Sequence, residues 1–182
     1  DDYFYNKNNF YLYDHPETGK FEFFTFDTDN SLGVDWVNRD WAKRDLSVWH
    51  RTGEPRPLIT KLLEVPQFKQ QYLQYLNDIT ENITHPDAIF PRIDDLRRLI
   101  TPSAMADTYR TLDYGYSMNS FYDGFEKAVD VHTPYGIKPF LVTRYVNTRN
   151  QLTSILRVTA TDAAGKDGNE SHLSVYPNPC TD

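Results

Sequence analysis

The residues best suited to chemistry are acids, and they gather at one end of the chain. Residues 1–35 hold eight of them (Asp1, Asp2, Asp14, Glu17, Glu22, Asp27, Asp29 and Asp35) against Lys7 and Lys20, which accounts for −6 of the total charge of −7. Clustered carboxylates repel one another unless a cation lies between them. Cys180 is the single cysteine, so neither an intrachain disulfide nor a cysteine metal cluster is available. Hard oxygen ligands suit Mg²⁺, Mn²⁺ or Ca²⁺ better than zinc. The run Asp27-Thr28-Asp29-Asn30 reads two ways, as metal ligands or as a turn cap behind a strand. An EF-hand is excluded, because the twelfth position counted from Asp27 is Asn38 rather than Glu.

The elements that must position these acids follow from the apolar pattern. Phe10–Tyr13 and Phe21–Phe26 are aromatic-rich runs separated by the turn formers of 14–20, which predicts an antiparallel hairpin. A hairpin returns its outer ends to one side. Asp1 and Asp2 before the first strand and Asp27 after the second are therefore expected to face one another across a single acidic cleft. Residues 27–57 have no period, contain Trp36, Trp41 and Trp49, and predict a long functional loop.

Helical spacing begins at Leu58 with Ile59, Leu62 and Leu63. Pro66 suits the first turn of a second helix carrying Phe68, Tyr72, Tyr75, Leu76, Ile79 and Ile83. Pro91 is expected to open a third helix with Ile93, Leu96, Leu99 and Ile100 inward, and Pro102 to end it. Ser117 or Asn119 can cap a helix with Phe121, Phe125, Ala128 and Val129, and a last helix follows Gly136 with Phe140, Leu141, Tyr145 and Leu152 inward. Residues 155–161 suit a strand or extended arm, and 162–171 a linker. The fold class is thus mainly α (α+β): an N-terminal β-hairpin, a long loop and four to five helices.

Composition narrows the function. The 182 residues include 27 aromatics, enough apolar surface for a core. No run approaches the ~18 apolar residues of a membrane span. A pI near 5.2 argues against a nucleic-acid partner. The five histidines lack ligand spacing, and the chain has neither a Gly-rich phosphate loop nor a nucleophile elbow. Residues 36–56 carry five bases against three acids and all three tryptophans, so a stacking wall for a substrate is one reading of this loop and anchoring to the core is the other. A polar loop with Asp and Asn, then strand, turn, strand and Asp, is the order in which protein kinases build the proton acceptor and metal grip of their site.

Three motifs sharpen this reading. Asn9-Phe10-Tyr11-Leu12-Tyr13, then Thr18-Gly19-Lys20-Phe21, then Phe26-Asp27-Thr28-Asp29-Asn30-Ser31-Leu32-Gly33 closely resemble the CotH family, the spore coat protein H kinases. The resemblance continues through Arg56-Pro57-Leu58-Ile59 and Gly136-Ile137-Lys138-Pro139-Phe140-Leu141 with Arg144, and spans roughly residues 1–152. It implies an atypical, secreted or cell-surface protein kinase with a kinase-like C-terminal lobe, using ATP with Mg²⁺ or Mn²⁺ on a protein substrate. By resemblance Asp27 is the metal-binding Asp and Asp29 its partner. Asp2 matches the catalytic-loop Asp, with Asp1 as the competing assignment, and Asn6 or Asn9 the loop asparagine. Phe26 stands where many members have Trp.

The resemblance also implies that the nucleotide lobe is a missing N-terminal partner of this stretch, which alone would be inactive. The tail Leu173-Ser174-Val175-Tyr176-Pro177-Asn178-Pro179 resembles the start of a type IX secretion sorting domain of Bacteroidetes. The expected division is a kinase lobe over 1–160 and a linker with the start of the sorting domain over 161–182. The rival expectations are a non-catalytic surface or spore-coat module, or a carbohydrate-binding module built on the Trp-rich loop.

Overall fold

A computed structural model describes residues 2–112 and 114–163, with side chains through Ile155. Strand β1 (Phe10–His15) pairs antiparallel with β2 (Lys20–Thr25), Phe10 opposite Thr25 and His15 opposite Lys20. Gly19, at φ +61, closes the turn in a conformation that favours a residue without Cβ. After a long loop come α1 (Pro57–Glu64), α2 (Pro66–Asn82), α3 (Pro86–Ala106), α4 (Met118–Glu126) and α5 (Ile137–Ala163). The mainly α plan with an N-terminal hairpin and five helices is as expected among the described residues.

Local chemistry explains the helix starts. Proline occupies the first turn of α1, α2 and α3, where its missing N–H costs nothing. Ser117 caps α4 in a capping box with Ser120.

Three expectations about α3 are corrected. The helix opens at Pro86 rather than Pro91, because His85 Nδ1 accepts the Asp87 N–H at 3.2 Å and caps it one turn earlier. That extra turn carries Ile89 and Phe90 into the core beside Ile93. Pro102 does not end α3 either, which runs on to Ala106 with both prolines inside. Of its expected inward stripe only Ile93 packs on the core, since Leu99 is 73% exposed and Leu96 and Ile100 are exposed as well.

A further correction concerns 155–161, which is part of α5 and not extended. These residues follow a helix already locked by Leu152, and propagation costs less than a new start. The linker expected over 162–171 begins in the helix and then, like the sorting motif, lies outside the described residues.

The core lies along α5. Near its start, Phe140 and Leu141 pack with Ala42 of the long loop, with Trp41, Ile89, Phe90 and Ile93 around them. Two turns or more further, Leu152 packs with Leu46 and with Leu73 of α2. The loop is therefore fastened to α5 at two apolar points. Polar ties reinforce them, with the Leu46 N–H donated to Gln151 Oε1 at 2.8 Å and Arg144 Nη1 to the Arg44 carbonyl at 2.7 Å.

Candidate active site

Asp2 opens a tight turn. Its carbonyl accepts the Asn6 N–H at 2.9 Å and its Oδ1 accepts the Tyr5 N–H at 3.0 Å. The alternating residues Tyr3 and Tyr5 are buried. Tyr3 stacks edge-on against Phe10 and Phe23 of the hairpin, and its hydroxyl accepts the Leu58 N–H at the head of α1. The Tyr5 ring meets Trp41 edge-on and is approached by the guanidinium groups of Arg39, Arg44 and Arg51. Arg39 Nε donates to the Tyr5 hydroxyl at 2.7 Å. Burial pushes the pKa of that phenol up, but hydrogen bonds from Arg39 and Arg51 outweigh it and leave it below its ordinary value. The two tyrosines thus nail down a turn whose remaining polar residues, Asp2 and Asn6, face a cavity.

At the open mouth of the hairpin, Asn9 joins the strand entry to the strand exit. Its carbonyl accepts the Phe26 N–H at 3.1 Å and its Nδ2 donates to the Asp27 carbonyl at 3.3 Å. Asn9 and Asp27 both sit at positive φ, +55 and +53, which Asn and Asp tolerate better than most residues. Asp29 Oδ1 accepts the Asn30 N–H at 2.9 Å, a turn-capping contact. Asn30 Oδ1 in turn accepts the Trp36 indole N–H at 2.7 Å. The strand-exit segment then crosses Phe140 at Gly33 (φ +96), where a Cβ would lie 2.6 Å from the Phe140 ring. Only glycine passes there without moving the core.

A cavity of ≈ 490 Å³ lies between these two segments. Asp2, Tyr5 and Asn6 form one wall, Asn30 to Val34 another, and Trp36, Trp41 and Trp49 contribute aromatic surface, with Phe140 completing the lining. Trp36 is 54% exposed yet held in place, stacked at 4.0 Å on His132 as well as bonded to Asn30.

Asp2 and Asn6 therefore share the cavity. Asn9 and Asp27 meet each other at the hairpin mouth, and Asp29 lies two residues beyond, but none of these three lines the cavity. Asp1 lies outside the described residues. No group of three His, Cys, Asp or Glu side chains converges among the described residues, and Asp27 does not share the cavity that Asp2 lines. One or two carboxylates still suit Mg²⁺, which keeps waters and takes the rest of its oxygens from phosphates.

Two features of the site escaped sequence reasoning. Asp35, counted only as one acid among eight, is buried and accepts the N–H groups of Val37 and Arg39 and the Trp41 indole at 3.0–3.1 Å. It organises the loop and fixes the Trp41 ring that lines the cavity. Arg56 is buried beneath the Asp2 turn. In the sequence it stands as the first residue of the Arg56-Pro57-Leu58-Ile59 motif and as one of the five bases of 36–56, and neither place signals burial.

Comparison with known families places this geometry. The family model described as CotH kinase protein matches residues 1–145. The chain belongs to the CotH family. No curated protein and no solved structure matches it. The CotH match takes in the Asp2 turn, the hairpin, the long loop, α1 to α4 and the part of α5 that packs under Gly33. Every element that shapes the cavity thus lies within the CotH region. Among the described residues, no helix is long and apolar enough to cross a membrane.

Proposed function

We propose that this chain is the C-terminal lobe of an exported CotH-type kinase that transfers phosphate from ATP to a protein hydroxyl. One observation carries the reading: Asp2 and Asn6 stand on a rigidly held turn at a cavity whose opposite wall continues directly from Asp27 and Asp29. That is the order of parts in which phosphoryl transfer places an acceptor-side carboxylate on one segment and the metal grip on the next. In this role Asp2 takes the proton of the attacking hydroxyl. Its Oδ1 already accepts the Tyr5 N–H, which orients the carboxylate.

Asp27 is the residue that would hold Mg²⁺ or Mn²⁺, with Asp29 as its partner and Asn6 or Asn9 supplying an amide oxygen. When bound, the metal neutralises charge on the transferring phosphates. A nucleotide lobe would complete the site, and the tail motif suits export by type IX secretion to the cell surface. Transfer from labelled ATP by the full-length polypeptide tests the reading. Asp2→Asn should abolish transfer while leaving Mn²⁺-ATP binding intact. Undiminished turnover by that variant would remove Asp2 from the mechanism.

A second reading, a non-catalytic surface module, draws on the Asp29 contact, which caps a turn as well as it could ligate a metal. Mn²⁺-ATP binding that is absent from the full-length protein would favour it.

A further inference from the structure

Arg56 has no role in the chemistry above, yet its side chain is 0% exposed. Taking a guanidinium out of water is expensive unless its donors are met. Here four bonds meet them. Nε donates to the Phe4 carbonyl at 2.9 Å and Nη2 to the Tyr5 carbonyl. Nη1 donates to the Pro55 carbonyl at 3.1 Å and to Glu54 Oε2 at 3.2 Å. Two of these acceptors belong to the turn between Asp2 and Asn6, which lies some fifty residues away in the chain. The neighbouring backbone adds a third tie, the Arg51 N–H to the Phe4 carbonyl at 3.1 Å. Glu54, paired with Arg56, also pairs with Lys7 at 3.3 Å, one residue beyond Asn6. The turn is thus gripped from beneath and at its exit by one short segment.

We propose that Arg56 is a positioning residue: its planar fork holds the Phe4 and Tyr5 carbonyls, and through them sets where Asp2 and Asn6 stand in the cavity. The inference rests on the phosphotransfer reading of Asp2 given above. Lysine cannot replace it, because a single ammonium has no fork to span two adjacent carbonyls. Nothing else that is buried and charged reaches this turn among the described residues.

The test is Arg56→Lys, read in two ways. Amide exchange at Tyr5 and Asn6, whose N–H groups bond to Asp2, should accelerate about tenfold while α2 and α3 keep their protection. In the full-length polypeptide, kcat should fall roughly a hundredfold with KM for ATP nearly unchanged, because a small misplacement near reacting atoms is that costly. Thr80→Ala, at a buried site in α2, is the stability control and should lower Tm without either effect. Where R56K does not fold, Glu54→Gln removes the counter-charge and the Lys7 pair, and should loosen the same two amides to a smaller degree. Unchanged exchange at Tyr5 and Asn6, an unchanged kcat, or the same losses in Thr80→Ala would each overturn the proposal. Absence of transfer by wild-type protein overturns the phosphotransfer reading instead, and the exchange result then decides the clamp alone.

Discussion

Residues 2–56 bury four apolar side chains, Tyr3, Tyr5, Ala42 and Leu46, and otherwise cohere through polar groups that reach backbone, chiefly Asp35 and Arg56. Residues 57–155 bury Ile59, Leu73, Phe125, Phe140, Leu141 and Leu152. The first region contains the candidate site, and the second supplies the body on which it rests. Apolar contacts tolerate small rotations, because dispersion is non-directional. Hydrogen bonds from a buried carboxylate or guanidinium define positions, because their geometry is narrow. A segment without helix or sheet can therefore hold Asp2 and Asn6 in fixed places, provided that each anchor is satisfied. The hairpin inside the first region differs from the segments around it, with Tyr11, Phe21, Phe24 and the adjoining Phe26 exposed.

If this division is right, changes in the site region should remove function with little loss of stability, and changes beneath it should do the reverse. The largest effect is expected from Asp27→Asn in the full-length polypeptide. Asparagine tolerates the positive φ of this position, so the fold should persist, while phosphate transfer should fall by a factor on the order of 10³. Transfer assays beside thermal melts check both halves of that statement. Phe140→Ala should cost about 3–5 kcal/mol, measured by urea unfolding, because it empties the contact beneath Gly33 and beside Ala42.

Asp35→Ala falls between the two regions and sharpens the comparison. It strips the acceptor from two backbone N–H groups and one indole, so we expect about 2 kcal/mol or more of destabilisation and a disordered Trp41. A fluorescence shift of Trp41 accompanying the loss of stability would show that polar anchoring holds the loop. The smallest effect concerns Glu54. Hydrogen bonds from Lys7 and Arg56 hold its carboxyl below the ordinary value of 4.5. A depressed carboxyl contributes stability above the unfolded pKa and loses it as pH falls through the folded one. Tm of the wild type should therefore exceed that of Glu54→Gln near neutral pH, and the two curves should converge as the medium is acidified below 4.5. Parallel curves would show that the pair contributes nothing.

The sequence by itself determined the elements that depend on neighbouring residues. Aromatic-rich runs on either side of the turn formers of 14–20 specify the hairpin, Pro66 starts α2, and Ser117 caps α4, because turn chemistry and capping are local. The run of acids beside the hairpin was equally legible, since charge and spacing need no fold to be counted. Tertiary structure decided everything that joins distant residues. Pro91 and Pro102 remain inside α3, where packing of Ile89, Phe90 and Ile93 outweighs two missing backbone hydrogen bonds. Asp2 and Asn6 were separated from Asn9, Asp27 and Asp29 by the path of the loop, which no spacing rule records. Arg56 beneath Phe4 and Tyr5, and Asp35 beneath Trp41, are visible only once the chain has folded back on itself. A buried charge takes its role from the partners around it, and these are brought together by the whole fold.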